Sequence, residues 1–194
     1  MISGLPVHFY FDTSTLITIA ADPALGSLVK ELFAGKGGVP CAVVTELEQK
    51  FGDQRVGQLA RIAFKDIKWL GEPIPVDTDE LRQEVESIQN KIAAGRSLQH
   101  PLQHYGESAM IVLAARDGAR CFSEDHDARI AAKCHNEVAI SCHRLISLLI
   151  QDGKLADEEG LRMVEVIRDK GRGRDYTLNE LREGGPALGR VWMP

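Results

Sequence analysis

Residues 7–17 read VHFYFDTSTLI. The first five, VHFYF, combine aromatic and β-branched side chains and predict a strand. Asp12-Thr13-Ser14-Thr15 follows at once, and short polar residues of this kind start helices because their oxygens accept from free backbone N–H groups. Leu16 then opens an apolar helical run. A strand that passes directly into a helix is the first half of a β–α–β unit, and this reading sets the expected class as α/β.

Outward from that stretch, the same alternation recurs. Asp22-Pro23 interrupts the first helix, because proline disfavours a helical residue before it. Leu25, Leu28, Val29, Leu32 and Phe33 form a helical stripe closed by Gly35. A second strand is expected at 39–43, a helix over 45–51 and another over 55–67. Residues 69–76, with Pro73 and Pro75, read as a short edge strand and loop. Leu81, Val85, Ile88 and Ile92 repeat at four, three and four, which predicts an amphipathic helix ending at Gly95. Residues 96–105 read as a loop. GESAMIVLAAR (106–116) is an apolar, buried helix. A strand is expected at 119–123, a helix at 125–135, a strand at 138–141, and helices at 143–151 and 158–170. The expected architecture is a central parallel sheet flanked by helices in three layers. Residues 1–153 read as the main domain. Residues 154–194 read as a C-terminal helix followed, from Gly171, by a glycine- and arginine-containing tail, extended or disordered.

The chain has 194 residues, 44% hydrophobic and 26% charged, which suits one globular α/β domain with a short appendage. No apolar run approaches the roughly 20 residues of a membrane-spanning helix, and no secretory signal is read at the start. A cytoplasmic protein without a membrane partner is therefore expected. Cys41, Cys121, Cys134 and Cys142 form no CxxC pair and no zinc spacing. They read as reduced thiols, with Cys41 and Cys121 buried. The net charge is −5, unlike a sequence-blind nucleic-acid coat. A carboxylate site that awaits a cation is compatible with that balance.

Ligands of open parallel sheets bind outside the carboxyl ends of the strands. Asp12, Glu46 and the pair Asp125 and Asp127 all fall at such ends, and Glu107 begins the buried helix that leads to the third strand. Taken singly, each has a plain structural role as a helix cap or first-turn acid. Their joint placement points to phosphodiester chemistry, in which Mg²⁺ or Mn²⁺ held by oxygen ligands activates water and offsets charge on phosphate.

These segments resemble the PIN-domain family. FYFDTSTLI resembles its opening strand and first acid, Asp12. VPCAVVTELEQ resembles the second motif, with Glu46 as the acid. GESAMIVLAAR resembles the glycine–acid helix start and supplies Glu107, and FSEDHDARIAAK resembles the last motif, with Asp125 and, two residues on, Asp127. The resemblance runs over residues 7–150. It implies a Rossmann-like sheet, a metal-dependent endoribonuclease acting on RNA, and frequent homodimers. Many prokaryotic members resemble the VapC toxins, held inactive by an antitoxin protein. It further implies Asp12, Glu107, Asp125 and Asp127 as metal ligands and Glu46 as a water-mediated ligand or water-orienting group, so that Asp12, Glu46, Glu107 and Asp125 form the catalytic set. Thr13 and Ser123 are expected to orient carboxylates behind them. Residues 77–105 and the segment from 154 lie outside the minimal family pattern.

Arg172 and Arg174 are candidate contacts for RNA phosphate. His104, His126 and His143 read as solvent-facing, with His126 best placed to meet RNA, and Trp192 as a docking residue for a partner subunit. A second hypothesis is a catalytically silent PIN-like domain that binds RNA or protein. A phosphatase or receiver domain ranks below both, because DTSTL lacks an aspartate two residues after Asp12.

Overall fold

The computed structural model describes residues 8–93, 103–135, 138–173 and 176–183. The strand β1 (Phe9–Phe11) is followed by helices α1 (Thr13–Ala21) and α2 (Pro23–Phe33), then β2 (Gly37–Gly38), α3 (Cys41–Gln49), α4 (Gly57–Asp66) and α5 (Asp79–Ile92). Next come α6 (Tyr105–Asp117), β3 (Arg120–Phe122), α7 (His126–Cys134), β4 (Ala139–Ile140), α8 (Cys142–Gln151), α9 (Asp157–Asp169) and α10 (Leu178–Glu183). The four strands form one all-parallel sheet in the order β2-β1-β3-β4. This is the expected α/β arrangement of a parallel sheet flanked by helices.

Alternation along β1 splits the core. Phe9 and Phe11 pack with the helices α1, α2 and α8, whereas Tyr10 packs with α5, α6 and α7. On β3, Phe122 joins the first group and Cys121 the second. Phe11 stacks on Phe122 across the β1–β3 pair, with ring centroids 4.7 Å apart and planes within 2°. Period-two side-chain projection makes these short strands apolar on both faces, as a sheet covered on both sides requires.

Local capping starts the helices where the polar residues stand. Asp12 accepts from Thr15 N (2.6 Å), Asp22 from Ala24 N (2.8 Å), and Ser141 from Arg144 N (3.2 Å). Asp22-Pro23 separates α1 from α2 as anticipated, with proline in the first turn of α2.

Several expectations are corrected. The second strand is not at 39–43. It is the pair Gly37–Gly38, and the chain is already helical from Cys41. The apolar run misleads because Val43 and Leu47 are spaced four apart and bury one face of a helix. Space is tight in the strand itself: a Cβ on Gly37 would meet the Leu70 side chain and lie 3.1 Å from a Phe11 ring carbon and 3.3 Å from Trp69. The edge strand at 69–76 reduces to one bridge, Pro40 with Ile74, after a 3₁₀ turn at Ile67–Leu70. Cys41 is exposed, while Cys121 is buried as expected.

The largest correction concerns the tail. Arg172 donates to the Ser14 carbonyl (3.0 Å) and to the Thr18 hydroxyl (3.2 Å). Leu181 of α10 is buried in the same cluster as Leu145 and Ile146, and its carbonyl accepts from the Ser147 hydroxyl at 2.5 Å. Glycine and arginine content suggested a solvated arm, but apolar anchors such as Tyr176 and Leu181 dock its described residues, 171–173 and 176–183. Arg174, Trp192 and most of the 96–105 loop lie outside the described residues. Among those described, no helix is long and apolar enough to cross a membrane.

Docking of the tail has a direct test. Leu181→Ala is expected to lower unfolding free energy by about 2–4 kcal/mol in urea titrations, as for a buried leucine. A loss below about 0.5 kcal/mol, typical of surface positions, would show that α10 is only loosely attached.

Candidate functional site

From β1 the chain crosses to β2 on one side and later enters β3 on the other. The carboxyl ends of β1 and β3 therefore flank the switch point of the sheet, where a crevice opens in folds of this type. Asp12 follows β1, and Ser123-Glu124-Asp125 follow β3. The two ends are tied by Asp12 N donating to Phe122 O (3.1 Å).

Asp12 is fully buried. Ser14 Oγ lies 2.9 Å from both of its carboxylate oxygens, and the Ser14 oxygen in turn accepts from Glu124 N (3.2 Å). Burial pushes the Asp12 carboxyl up to about 6, and hydrogen bonds from Ser123, Thr15 and Ser14 limit the rise. Ser123 Oγ also accepts from Asp125 N (3.1 Å). Ser123 thus bonds both the Asp12 carboxyl and the Asp125 backbone.

Glu46 reaches across from α3. Its carboxylate accepts from the Thr13 hydroxyl (2.5 Å) and from Gly106 N (2.8 Å), the first turn of α6. Thr13 therefore orients Glu46. An added Cβ on Gly106 would stand 2.6 Å from both Glu46 oxygens and would displace that carboxylate. One residue on, Glu107 is pushed up to about 8, first by burial and then by the charges of Glu46, Asp12 and Asp125. Acids from four separate segments thus sense one another at one edge of the sheet.

Above them lies a cleft of about 450 Å³, lined by Ser14, Glu46, Lys50, His104 and Glu107 among others. Asp12 is fully buried and is not among its lining residues, whereas its neighbours Thr13 and Ser14 are. Asp125 caps α7 through Ala128 N (2.8 Å). Asp127 is placed elsewhere, in a hollow with Lys91, Ile130 and Cys134. Arg172 is spent on α1. Among the described residues, no group of three or more His, Cys, Asp or Glu side chains is arranged to hold a metal ion. Asp12, Glu46 and Asp125 each accept hydrogen bonds from protein donors.

The histidines need revision. His126 is exposed, as expected. His104 lines the cleft and takes φ 62°, a positive value that no other non-glycine residue adopts among those described. Its carbonyl accepts from Ser108 N (3.0 Å) and Ser108 Oγ (2.7 Å), which starts α6. His143 is buried rather than solvent-facing, with Nδ1 3.7 Å from Glu124 Oε2 and its ring stacked on Tyr176 at 4.6 Å. Burial pushes Glu124 up, but its bonds with His143 and with Cys142 N (2.6 Å) outweigh this and hold it below the ordinary range. Glu124 and Lys50 went unnoticed in sequence, and Ser14 was read only as part of the helix start after Asp12. Lys50 had one signal, its position one helical turn after Glu46. Comparison with protein-family models, curated proteins and solved structures gives no match.

The raised carboxyls have a signed consequence. An acid whose folded pKa lies above its unfolded value binds its proton more tightly when folded, so stability is lost as pH rises between the two values. For Glu107 that window runs from 4.5 to about 8. In chelator-containing buffer, Glu107→Gln should match the wild type in urea stability near the bottom of the window and exceed it by a few kcal/mol at the top. A constant difference across the window would show that Glu107 is not charge-strained.

Proposed function

We propose that this chain is a metal-dependent endoribonuclease of the PIN-like kind, which hydrolyses RNA phosphodiesters at the cleft above Asp12, Glu46, Glu107 and Asp125. The carrying observation is the convergence of these acids, from four separate segments, at the switch point between β1 and β3. Such mutual repulsion costs stability, and a divalent cation relieves it.

The donor set is all oxygen, with no histidine or cysteine ligand, which suits Mg²⁺ or Mn²⁺. Asp12, Glu107 and Asp125 would hold the ion, with Glu46 beside it. When bound, the ion supplies charge neutralisation and an acidified water. The chain's own groups do the remainder. Glu46, beside the ion, would orient the attacking water. Thr13 and Gly106 hold Glu46 facing the cleft. Lys50 attracts phosphate there, which the acids alone would repel. In this reading the toxin role remains a proposal, with an antitoxin and a second copy of the chain as partners. Co-purification with the product of an adjacent reading frame and sedimentation of the pure protein test those two points.

Cleavage of short RNA in Mg²⁺ or Mn²⁺ is expected, abolished by chelator. Asp12→Asn keeps the helix cap and Glu107→Gln keeps the shape, yet each should reduce the rate by roughly 10²-fold or more. Undiminished activity in either folded variant, free of contaminating nuclease, refutes the site assignment.

One observation favours the silent alternative: the carboxylates already satisfy protein donors, and no ready-made cage exists among the described residues. Titration calorimetry at pH 8 separates the two. Binding of Mn²⁺ that disappears in Glu107→Gln supports the nuclease, and no heat at millimolar Mn²⁺ supports a silent binding domain.

A further inference from the structure

A second hollow of about 270 Å³ opens beside the acidic cleft, and Glu46 and Gln49 stand in the lining of both. Its apolar lining comes from Ala42, Pro75, Val76 and the ring of Tyr105. Thr45 and Gln49 add polar groups. The 74–76 wall is fixed to the start of α3, because Cys41 N donates to Ile74 O (2.9 Å) and Ile74 N donates to Val39 O (2.9 Å). Tyr105 is the first residue of α6, immediately before the Gly106 N–H that holds Glu46 and two before Glu107. The aromatic ring and the acids are therefore set on one rigid turn.

Resting on the nuclease reading, we propose that this hollow seats one unstacked nucleobase of the RNA whose phosphate lies in the acidic cleft. A flat heteroaromatic ring matches apolar walls that include an aromatic face, because every base offers a π-face for stacking. The Gln49 amide both donates and accepts, so it can meet the polar edge of a base without demanding one sequence. Among the described residues the hollow has no cationic lining residue, which suits a base and not a second phosphate. Lys50 stands on the cleft side of the shared wall, where the phosphate would sit. The hollow thus makes the enzyme select for a nucleotide whose base is free to leave its stack.

Cys41 is exposed and lines this hollow, so its thiol reports on occupancy. Cys134 is also exposed but lines a different hollow, which makes it an internal control. The full chain is alkylated with iodoacetamide in Mg²⁺, with and without saturating short single-stranded RNA, and the modified sites are read by mass spectrometry. Slower alkylation of Cys41 but not Cys134 is expected with RNA, and no slowing with an abasic ribose-phosphate chain of equal length. Tyr105→Ala should weaken RNA binding on the order of 10-fold while Tyr105→Phe keeps it. Val76→Trp, which fills the hollow from the opposite wall, should raise KM and leave kcat near wild type. Cleavage that proceeds with Cys41 alkylation unchanged, or equal protection by the abasic chain, overturns the base pocket and leaves the nuclease standing. Protection of Cys41 without any cleavage supports the pocket and overturns the nuclease.

Discussion

The Glu46 carboxylate, shared between the Thr13 hydroxyl and the Gly106 N–H, is the contact on which the site's geometry depends. It joins three elements that are remote in sequence: the start of α1, the middle of α3 and the first turn of α6. A charge-assisted pair of this kind is worth more than neutral hydrogen bonds and is directional. It sets α3 against α6 at the spacing that leaves a cleft between them. It also brings the Glu46 charge beside Glu107, so one contact both builds the site and strains it.

Beneath that contact, parallel pairing of β1 with β3 governs the rest. The Phe11–Phe122 stack closes the sheet from one side, and the next residue on each strand, Asp12 and Ser123, emerges at the same level. Asp12 is a helix cap and a member of the acid group at once. These roles are compatible because a cap uses one carboxylate oxygen for backbone N–H groups, while the negative charge continues to act on neighbours through a poorly screened interior. The helix α1 thus stabilises an acid whose burial would otherwise cost several kcal/mol.

The C-terminal segment completes the far side of this region. Arg172 reaches the Ser14 carbonyl, and Tyr176 covers the ring of His143, which in turn holds Glu124. Glu124 N–H returns to Ser14. The acid group is therefore braced from the cleft side by α6 and from the opposite side by residues far along the chain. Core packing continues from α8 through Met163, Val164 and Leu181.

Periodicity and capping determined much from the sequence alone. The strand after His8, the break at Asp22-Pro23, the stripe through Val85, Ile88 and Ile92, and the acid-led starts of α1 and α7 are local matters, settled by residues within a turn of one another. The positions of Asp12, Glu107 and Asp125 at strand or helix ends were equally legible, whereas Glu46, expected just after a strand, lies in the middle of α3. Tertiary structure alone decided what those acids touch. Val39–Val43 could satisfy strand or helix until Pro40 and the partners of Leu47 chose helix. Asp127 is two residues from Asp125, yet the turn of α7 carries it to another hollow. His143 looked exposed because burial of a histidine depends on Glu124, Tyr176 and Gly173, none of them near in sequence to the helix that carries it. Spacing along the chain encodes the period of a helix or strand, whereas burial, charge coupling and clefts arise from pairs of segments whose approach only the packed core sets.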